Sequence, residues 1–248
     1  MENLKFVFDL DGTIVFKGCP INEDVSAVLM DLMTAGHEVI FASASPIRDI
    51  LPVLPKQFHG CRMVGGNGVF VYQNNEIDVT SFENSTINSI LQIVTEYNLK
   101  YLIDGRWDYS FNGDESHPIF RNLDPLATAV NRPLADLDGI VKFVLFTRSK
   151  AIQAELEKLA VNIHIHGEEG ILDISPKGIH KWAGLQRLGV TPGNFIAFGN
   201  DTNDISMFQQ AFESICVGNH EIVCQFATSS TTEQQIAETI RQFATQYV

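Results

Sequence analysis

Apolar residues along the chain recur with two periods, and the points where one period gives way to the other predict most of its elements. Lys5-Phe6-Val7-Phe8 is a run of aromatic and β-branched residues closed by Asp9-Leu10-Asp11-Gly12, the pattern of a buried strand that ends in carboxylates. Beyond it Val25, Val28, Leu29, Leu32 and Met33 share one helical face, with Asn22 as the cap and Gly36 as the stop. Val39-Ile40-Phe41-Ala42 predicts a second buried strand, ending in Ser43-Ala44-Ser45-Pro46. Two parallel strands joined by a crossover helix open a doubly wound sheet. Gly65-Gly66-Asn67-Gly68 then marks a turn, and Val69-Phe70-Val71-Tyr72 and Ile77-Asp78-Val79 flank Gln73-Asn74-Asn75-Glu76 as a hairpin.

The pattern changes between residues 80 and 175. Helical periods (Ile87, Ile90, Leu91, Val94; Ile152, Leu156, Leu159) alternate there with short strands at 101–103, 141–146, 161–165 and 171–174, which reads as an α+β insert. In Asn162-Ile163-His164-Ile165-His166 the alternation places the histidines on a solvated face. After the insert a helix starts near His180, and Phe195-Ile196-Ala197-Phe198 is a strand running into Gly199-Asn200-Asp201-Thr202-Asn203-Asp204. Cys216-Val217-Gly218-Asn219 reads as a last strand and turn. Thr232 to Gln235 reads as a capping box before a helix with Ile236, Ile240, Phe243, Ala244 and Tyr247 on one face.

Composition narrows the functional classes. With 248 residues, 45% of them hydrophobic, the chain can bury a sizeable core. No run approaches the ~18 apolar residues of a membrane span, and Met1 to Lys5 carries no basic-then-apolar leader, so a cytoplasmic protein is expected. A net charge of -13 argues against nucleic acid or an anionic membrane as partner, yet leaves room for small phosphorylated metabolites. Cys19, Cys61, Cys216 and Cys224 have no CxxC spacing and are expected as free thiols.

The chemistry follows from where polar groups meet strand ends. In a parallel α/β sheet ligands bind beyond the carboxyl ends of the strands, and there stand Asp9 and Asp11, the Ser43 hydroxyl, and the oxygen-rich stretch from Asn200 to Asp204. A carboxylate can attack phosphorus while a second one two residues on moves the proton. Both would repel a phosphate dianion, so a hard cation such as Mg²⁺ is called for. Each feature alone also suits a plainer role: an acidic turn, a helix cap, an exposed lysine.

Phe8-Asp9-Leu10-Asp11-Gly12-Thr13 resembles the first motif of the haloacid dehalogenase superfamily, and the other strand-end groups follow in that family's order over essentially the whole chain. The resemblance, to class IIB (Cof-like) members, implies an α/β fold: a Rossmann-like doubly wound parallel sheet core (1–79 and 176–248) with an inserted C2-type cap domain (80–175) that closes over the site and selects the substrate. It implies Asp9 as nucleophile and Asp11 as general acid and base. Ser43 and Lys181 would hold the phosphoryl group, with Lys177 the alternative lysine. Gly12, Thr13, Ala44, Asn67 and Asn203 would line the phosphate site. Asp9, Asp11, Asn200, Asp201 and Asp204 would supply Mg²⁺ ligands. Two departures stand out: Ser43-Ala44-Ser45 replaces the usual Thr-Gly-Arg, leaving Arg48 as a substitute, and Asn200 stands where an acid is usual. In the insert, Arg106 to Tyr109, His117, Arg121, His164 and His166 are candidates for substrate contact. The implied activity is a Mg²⁺-dependent phosphatase of small metabolites. The alternatives are a phosphosugar mutase of the same superfamily and a receiver-like phospho-accepting module, though receivers are about half this length.

Overall fold

The computed structural model describes residues 4–166 and 170–246, so Tyr247 lies outside the described residues. In chain order the elements are β1 (Lys5–Phe8), α1 (Glu23–Thr34), β2 (Glu38–Ala42), α2 (Ile47–Ile50), β3 (Arg62–Gly65), β4 (Phe70–Gln73), β5 (Glu76–Val79), α3 (Asn84–Glu96), β6 (Lys100–Asp104) and β7 (Tyr109–Phe111). They continue with α4 (Pro118–Arg121), β8 (Lys142–Phe146), α5 (Lys150–Leu156), β9 (Val161–His166), β10 (Ile171–Pro176) and α6 (Lys181–Arg187). The last are β11 (Phe195–Gly199), α7 (Ile205–Phe208), β12 (Glu213–Val217), β13 (Ser229–Thr231) and α8 (Ile236–Gln246). Two compact units result, Met1–Glu76 with His180–Val248, and Ile77–Ile179. No helix among the described residues is long and apolar enough to cross a membrane.

An eight-stranded sheet, seven strands of which lie in the first unit, has the order β13-β12-β11-β1-β2-β3-β4-β5, parallel from β13 to β3 and antiparallel at β4. Side chains alternate across a strand, so β1 serves both faces. Phe6 and Phe8 face one way, where Phe8 stacks on Phe198 at 4.7 Å and Phe243 of α8 meets Phe198 edge-on. Val7, with Ile40 and Ala197, faces the other way and is buried with Trp182 and Leu185 of α6 and Met207 and Phe208 of α7. Helices on both faces make the sheet doubly wound. The hairpin turns on Asn74 and Asn75, both at positive φ (53° and 62°), the geometry a two-residue β-turn needs.

The second unit is a five-stranded antiparallel sheet in the order β7-β6-β8-β10-β9. Ile90, Ile93 and Val94 of α3 and Ile152 and Leu156 of α5 cover the face presented by Phe143, Leu145, Leu172 and Ile174. On the opposite face Lys142 and Asp173 form a buried ion pair at 3.0 Å. The histidines of β9 depart from expectation: His164 is partly buried and lies in register with Asp173, whereas Ile165 is 56% exposed. Residues in register on paired strands point to the same side of the sheet, so His164 shares the face of Asp173. Four of the candidate contact residues are engaged within this unit. The Trp107 indole donates to Thr128 O (2.9 Å), Asp108 accepts from Arg132 (2.5 Å), Arg106 donates to Ile77 O, and His117 caps α4.

Candidate active site

Strand β1 stops at Phe8 because Leu10 O accepts three successive amides, from Thr13, Ile14 and Val15, which turns the chain sharply. Asp9 is left at the strand end, 4% exposed, while Asp11 reaches solvent, so the two acids share a turn and not an environment. Gly12 makes the turn possible on two counts. Its φ is +81°, and a Cβ there would lie 2.2 Å from the Asn200 amide. Thr13, fully buried, donates its hydroxyl to Asp9 Oδ2 at 2.8 Å.

The other Asp9 oxygen belongs to Lys181. His180 caps α6 by accepting the Ala183 amide (3.1 Å), which places Lys181 at the first helical position. Its ammonium is completely buried and donates to Asp9 Oδ1 at 2.5 Å and Asp204 Oδ1 at 2.6 Å. Lys177 is exposed. A buried ammonium normally loses its proton more easily, but the two carboxylates, Asp204 foremost, outweigh burial and raise the Lys181 pKa. Asp9 is pushed up from 3.8 to about 7, first by burial and then by Asp204, against the opposing pull of Lys181. Burial lowers the pKa of His180.

Asp204 organises the loop after β11. Its Oδ2 accepts the backbone amides of Asn200 (2.8 Å) and Asp201 (3.1 Å), so both carboxylate oxygens are occupied by protein donors. Gly199 is required beneath it, since a Cβ there would sit 2.5 Å from the Asp204 carboxyl. The loop aims Asn200, not Asp201, at the end of β1. The Asn200 amide nitrogen, turned inward, donates to Asp11 O at 3.1 Å, Asp9 Oδ2 at 3.1 Å and Thr13 Oγ1 at 3.2 Å. Asp201 instead accepts the Thr202 amide at 2.6 Å and stands 3.9 Å from His220, away from this cluster. The expectation that Asp201 joins Asp9 and Asp11 is not met by this geometry, and Asp204 reaches Asp9 through Lys181.

The donor set fits a small hard cation. The Asn200 amide lies 3.1 Å from both Asp9 Oδ2 and Asp11 O, near the spacing of neighbouring oxygens around Mg²⁺ with bonds of about 2.1 Å. Rotating the Asn200 amide by half a turn would replace its nitrogen with its oxygen at that point. No group of three His, Cys, Asp or Glu side chains suited to a metal occurs among the described residues, so such a site depends on carbonyl and amide oxygens.

The phosphate-site candidates are tied together by their own backbone. Ser43 O accepts the Asn67 amide (3.0 Å), the Ser43 hydroxyl accepts the Ser45 amide (3.0 Å), and Asn67 Oδ1 accepts from Asn203 Nδ2 (3.1 Å). The end of β2, which also carries Ala44, is thereby joined to the glycine-rich turn and to the β11 loop. Asn67 has φ 55°, a left-handed conformation that asparagine tolerates. Arg48 is buried and pairs with its neighbour Asp49 at 3.3 Å. Sequence reasoning missed Arg187, whose guanidinium donates to Gly68 O (3.0 Å) and Val69 O (3.1 Å) and braces the turn against α6. Gly68 and Gly184 were its available signal, because their backbones meet where a Cβ on Gly184 would lie 3.0 Å from Gly68 Cα.

Comparison with known proteins agrees with this architecture. The family model for haloacid dehalogenase-like hydrolases matches residues 6–240. The chain is 24% identical over 260 residues to the 5-amino-6-(5-phospho-D-ribitylamino)uracil phosphatase YitU of Bacillus subtilis, covering 96% of this chain and 95% of that one. A Streptococcus mutans protein of known structure shares the fold with a TM-score of 0.81 at 21% identity, over 98% of this chain and 100% of its own. The subclass IIB sugar phosphatase BT4131 does so with a TM-score of 0.78 at 17% identity, over 97% and 99%.

Proposed function

The chain belongs to the haloacid dehalogenase-like hydrolase family, and from that premise we propose that it is a Mg²⁺-dependent phosphatase that releases inorganic phosphate from small phosphorylated metabolites. The observation that carries this reading is the buried Asp9–Lys181–Asp204 cluster, with one Asp9 oxygen facing Lys181 and the other facing the Asn200 amide, which also meets the Asp11 carbonyl. Asp9 Oδ2, Asp11 O and, through its amide oxygen, Asn200 would hold the cation. Bound there, Mg²⁺ supplies the positive charge that keeps Asp9 ionised and lets a phosphate dianion approach it.

Asp9 Oδ1 is the oxygen left to attack phosphorus. Lys181 holds it at 2.5 Å and fixes its direction. Attack forms an aspartyl-phosphate and expels the alcohol oxygen, which takes a proton from Asp11. Asp11 is exposed, so it can exchange protons with water between the two steps. The same carboxylate then removes a proton from water, which cleaves the acyl phosphate and regenerates Asp9. Ser43, Asn67 and Lys181 would bind the phosphoryl oxygens, and Asp204 keeps Lys181 charged and the β11 loop in place. The unit Ile77–Ile179 would act as the cap that selects the leaving group. The named activities of YitU and the sugar phosphatase support a small phosphorylated metabolite as substrate.

The test is a panel of sugar phosphates, nucleotides and cofactor phosphates together with p-nitrophenyl phosphate, with Mg²⁺ and with EDTA, on the wild type and Asp9→Asn. Phosphate release should require Mg²⁺ and fall at least about 10³-fold in Asp9→Asn, since covalent attack is lost. Equal turnover in the two proteins would refute the mechanism.

A further inference from the structure

Outside the catalytic cluster, Cys216 and Cys224 lie with their sulfurs 2.9 Å apart. That is about 0.9 Å beyond the ~2.0 Å of a formed sulfur–sulfur bond. Both thiols are free. We propose that Cys216 and Cys224 are a modification site: a dithiol that is converted reversibly to an intramolecular disulfide by a disulfide oxidant of the glutathione class.

The contact is built by the chain between the two residues. Strand β12 carries Cys216 into the sheet, where it is fully buried, and the chain then leaves through Gly218 at φ +97°. The Gly218 amide donates to Thr231 O at 2.8 Å, which pins the start of the loop to β13. The return is held by His220, whose carbonyl accepts the Cys224 amide at 3.0 Å and whose ring nitrogen accepts the Val223 amide at 3.4 Å. Val223 is buried in the core beside Cys216, so the short turn Val223–Gln225 has a fixed depth and Cys224 is delivered onto the Cys216 sulfur. The 2.9 Å approach of the two sulfurs is thus set by backbone and packing before any bond forms.

The two thiols have different parts. Cys224 is partly exposed and attacks first: its thiolate, having given its proton to solvent, displaces one glutathione thiolate and becomes a mixed disulfide. Cys216 then gives up its proton, attacks the Cys224 sulfur and expels the second glutathione. The net change is two protein thiols and one glutathione disulfide giving one protein disulfide and two glutathione thiols. The buried Cys216 thiol is pushed up to about 12, which makes the second step the slow one and speeds it as pH rises. Cys61, buried without such a neighbour, and Cys19, exposed on a loop, offer no equivalent pair among the described residues.

The experiment uses the full chain carrying Cys19→Ser, which removes the exposed thiol that could link two molecules. The protein is incubated with oxidised glutathione, freed of reagent, denatured, and its thiols counted and its mass measured. Two thiols should be lost, with a mass decrease of about 2 Da, no retained glutathione, and full reversal by dithiothreitol. The same chain with Cys224→Ser should lose none by this route. An unchanged thiol count, or a glutathione adduct that stays on Cys224 because Cys216 does not displace it, would overturn the proposal.

Discussion

Replacing Lys181 with Met tests how the buried cluster is held together. The substitution keeps the length and apolar stem of the side chain and removes the ammonium that bridges Asp9 Oδ1 at 2.5 Å and Asp204 Oδ1 at 2.6 Å. Those two oxygens therefore lie within about 5 Å of each other, and at an effective dielectric of about 20 two ionised carboxylates at that separation repel by roughly 3 kcal/mol. Breaking a buried ion pair by removing one partner costs about 3–5 kcal/mol, which agrees. For a chain of this size the loss corresponds to a melting temperature lowered by about 10 °C. The pH dependence is the sharper reading. In the wild type Asp9 titrates near 7 in the folded chain against 3.8 as its ordinary value. The folded state thus keeps a proton that the unfolded state has lost, and the associated stability is fully present below pH 3.8 and disappears as pH rises to about 7, some 4 kcal/mol in all. Lys181 opposes that shift, so removing it moves the upper end of the window above 7. Denaturant unfolding in EDTA at pH 5, 7 and 8.5 should show the deficit of Lys181→Met widening with pH. A deficit below about 1 kcal/mol, or one that is the same at all three values, would refute the account.

Other outcomes follow from the same geometry. Asn200→Asp places a second carboxylate about 3.1 Å from Asp9 Oδ2, an interaction of roughly 5 kcal/mol at a dielectric of about 20. Thermal melts should show the variant several degrees below the wild type in EDTA and stabilised by lower Mg²⁺ concentrations; superimposable Mg²⁺ titrations would contradict the assignment of Asn200. Gly12→Ala should cost about 1–2 kcal/mol from its left-handed backbone alone and weaken Mg²⁺ binding further by displacing the Asn200 amide, both measurable in the same melts. Maleimide labelling followed by peptide mass analysis should find Cys19 modified well ahead of Cys61 and Cys216, whose thiols burial pushes up to about 11 and about 12.

Where hydrophobic period and chemistry coincided, the chain was readable. β1, β2 and β11 are apolar runs that each end in polar residues, and those endings meet in one place. The family resemblance favours Lys181 over Lys177, and the folded chain buries the first and exposes the second. Other features lay beyond the pattern. β13 is Ser229–Thr231, three polar residues whose strand character comes wholly from pairing with β12. The spacing of Asp9 and Asp11 gave no sign that one is buried and the other exposed, since that depends on the turn made by Leu10 O. Nor could it tell Asn200 from Asp201, which depends on where Asp204 anchors the loop. The face taken by His164 needed the register of β9 on β10. The meeting of Cys216 with Cys224 needed the depth set by Val223.

The place of β1 in the sheet has a consequence for biosynthesis. One neighbour, β2, pairs Glu38 with Lys5 and is made almost at once, but the other pairs Phe195 with Lys5 and is 190 residues away. At about 5–20 residues per second a ribosome needs roughly 10–40 s to supply it. For that interval the strand bearing Asp9 has one open hydrogen-bonding edge, ready to add a stray strand from another nascent chain. The yield of active enzyme from rapid overexpression should therefore be limited at this edge, and slower synthesis or a chaperone that shields it should raise the soluble fraction.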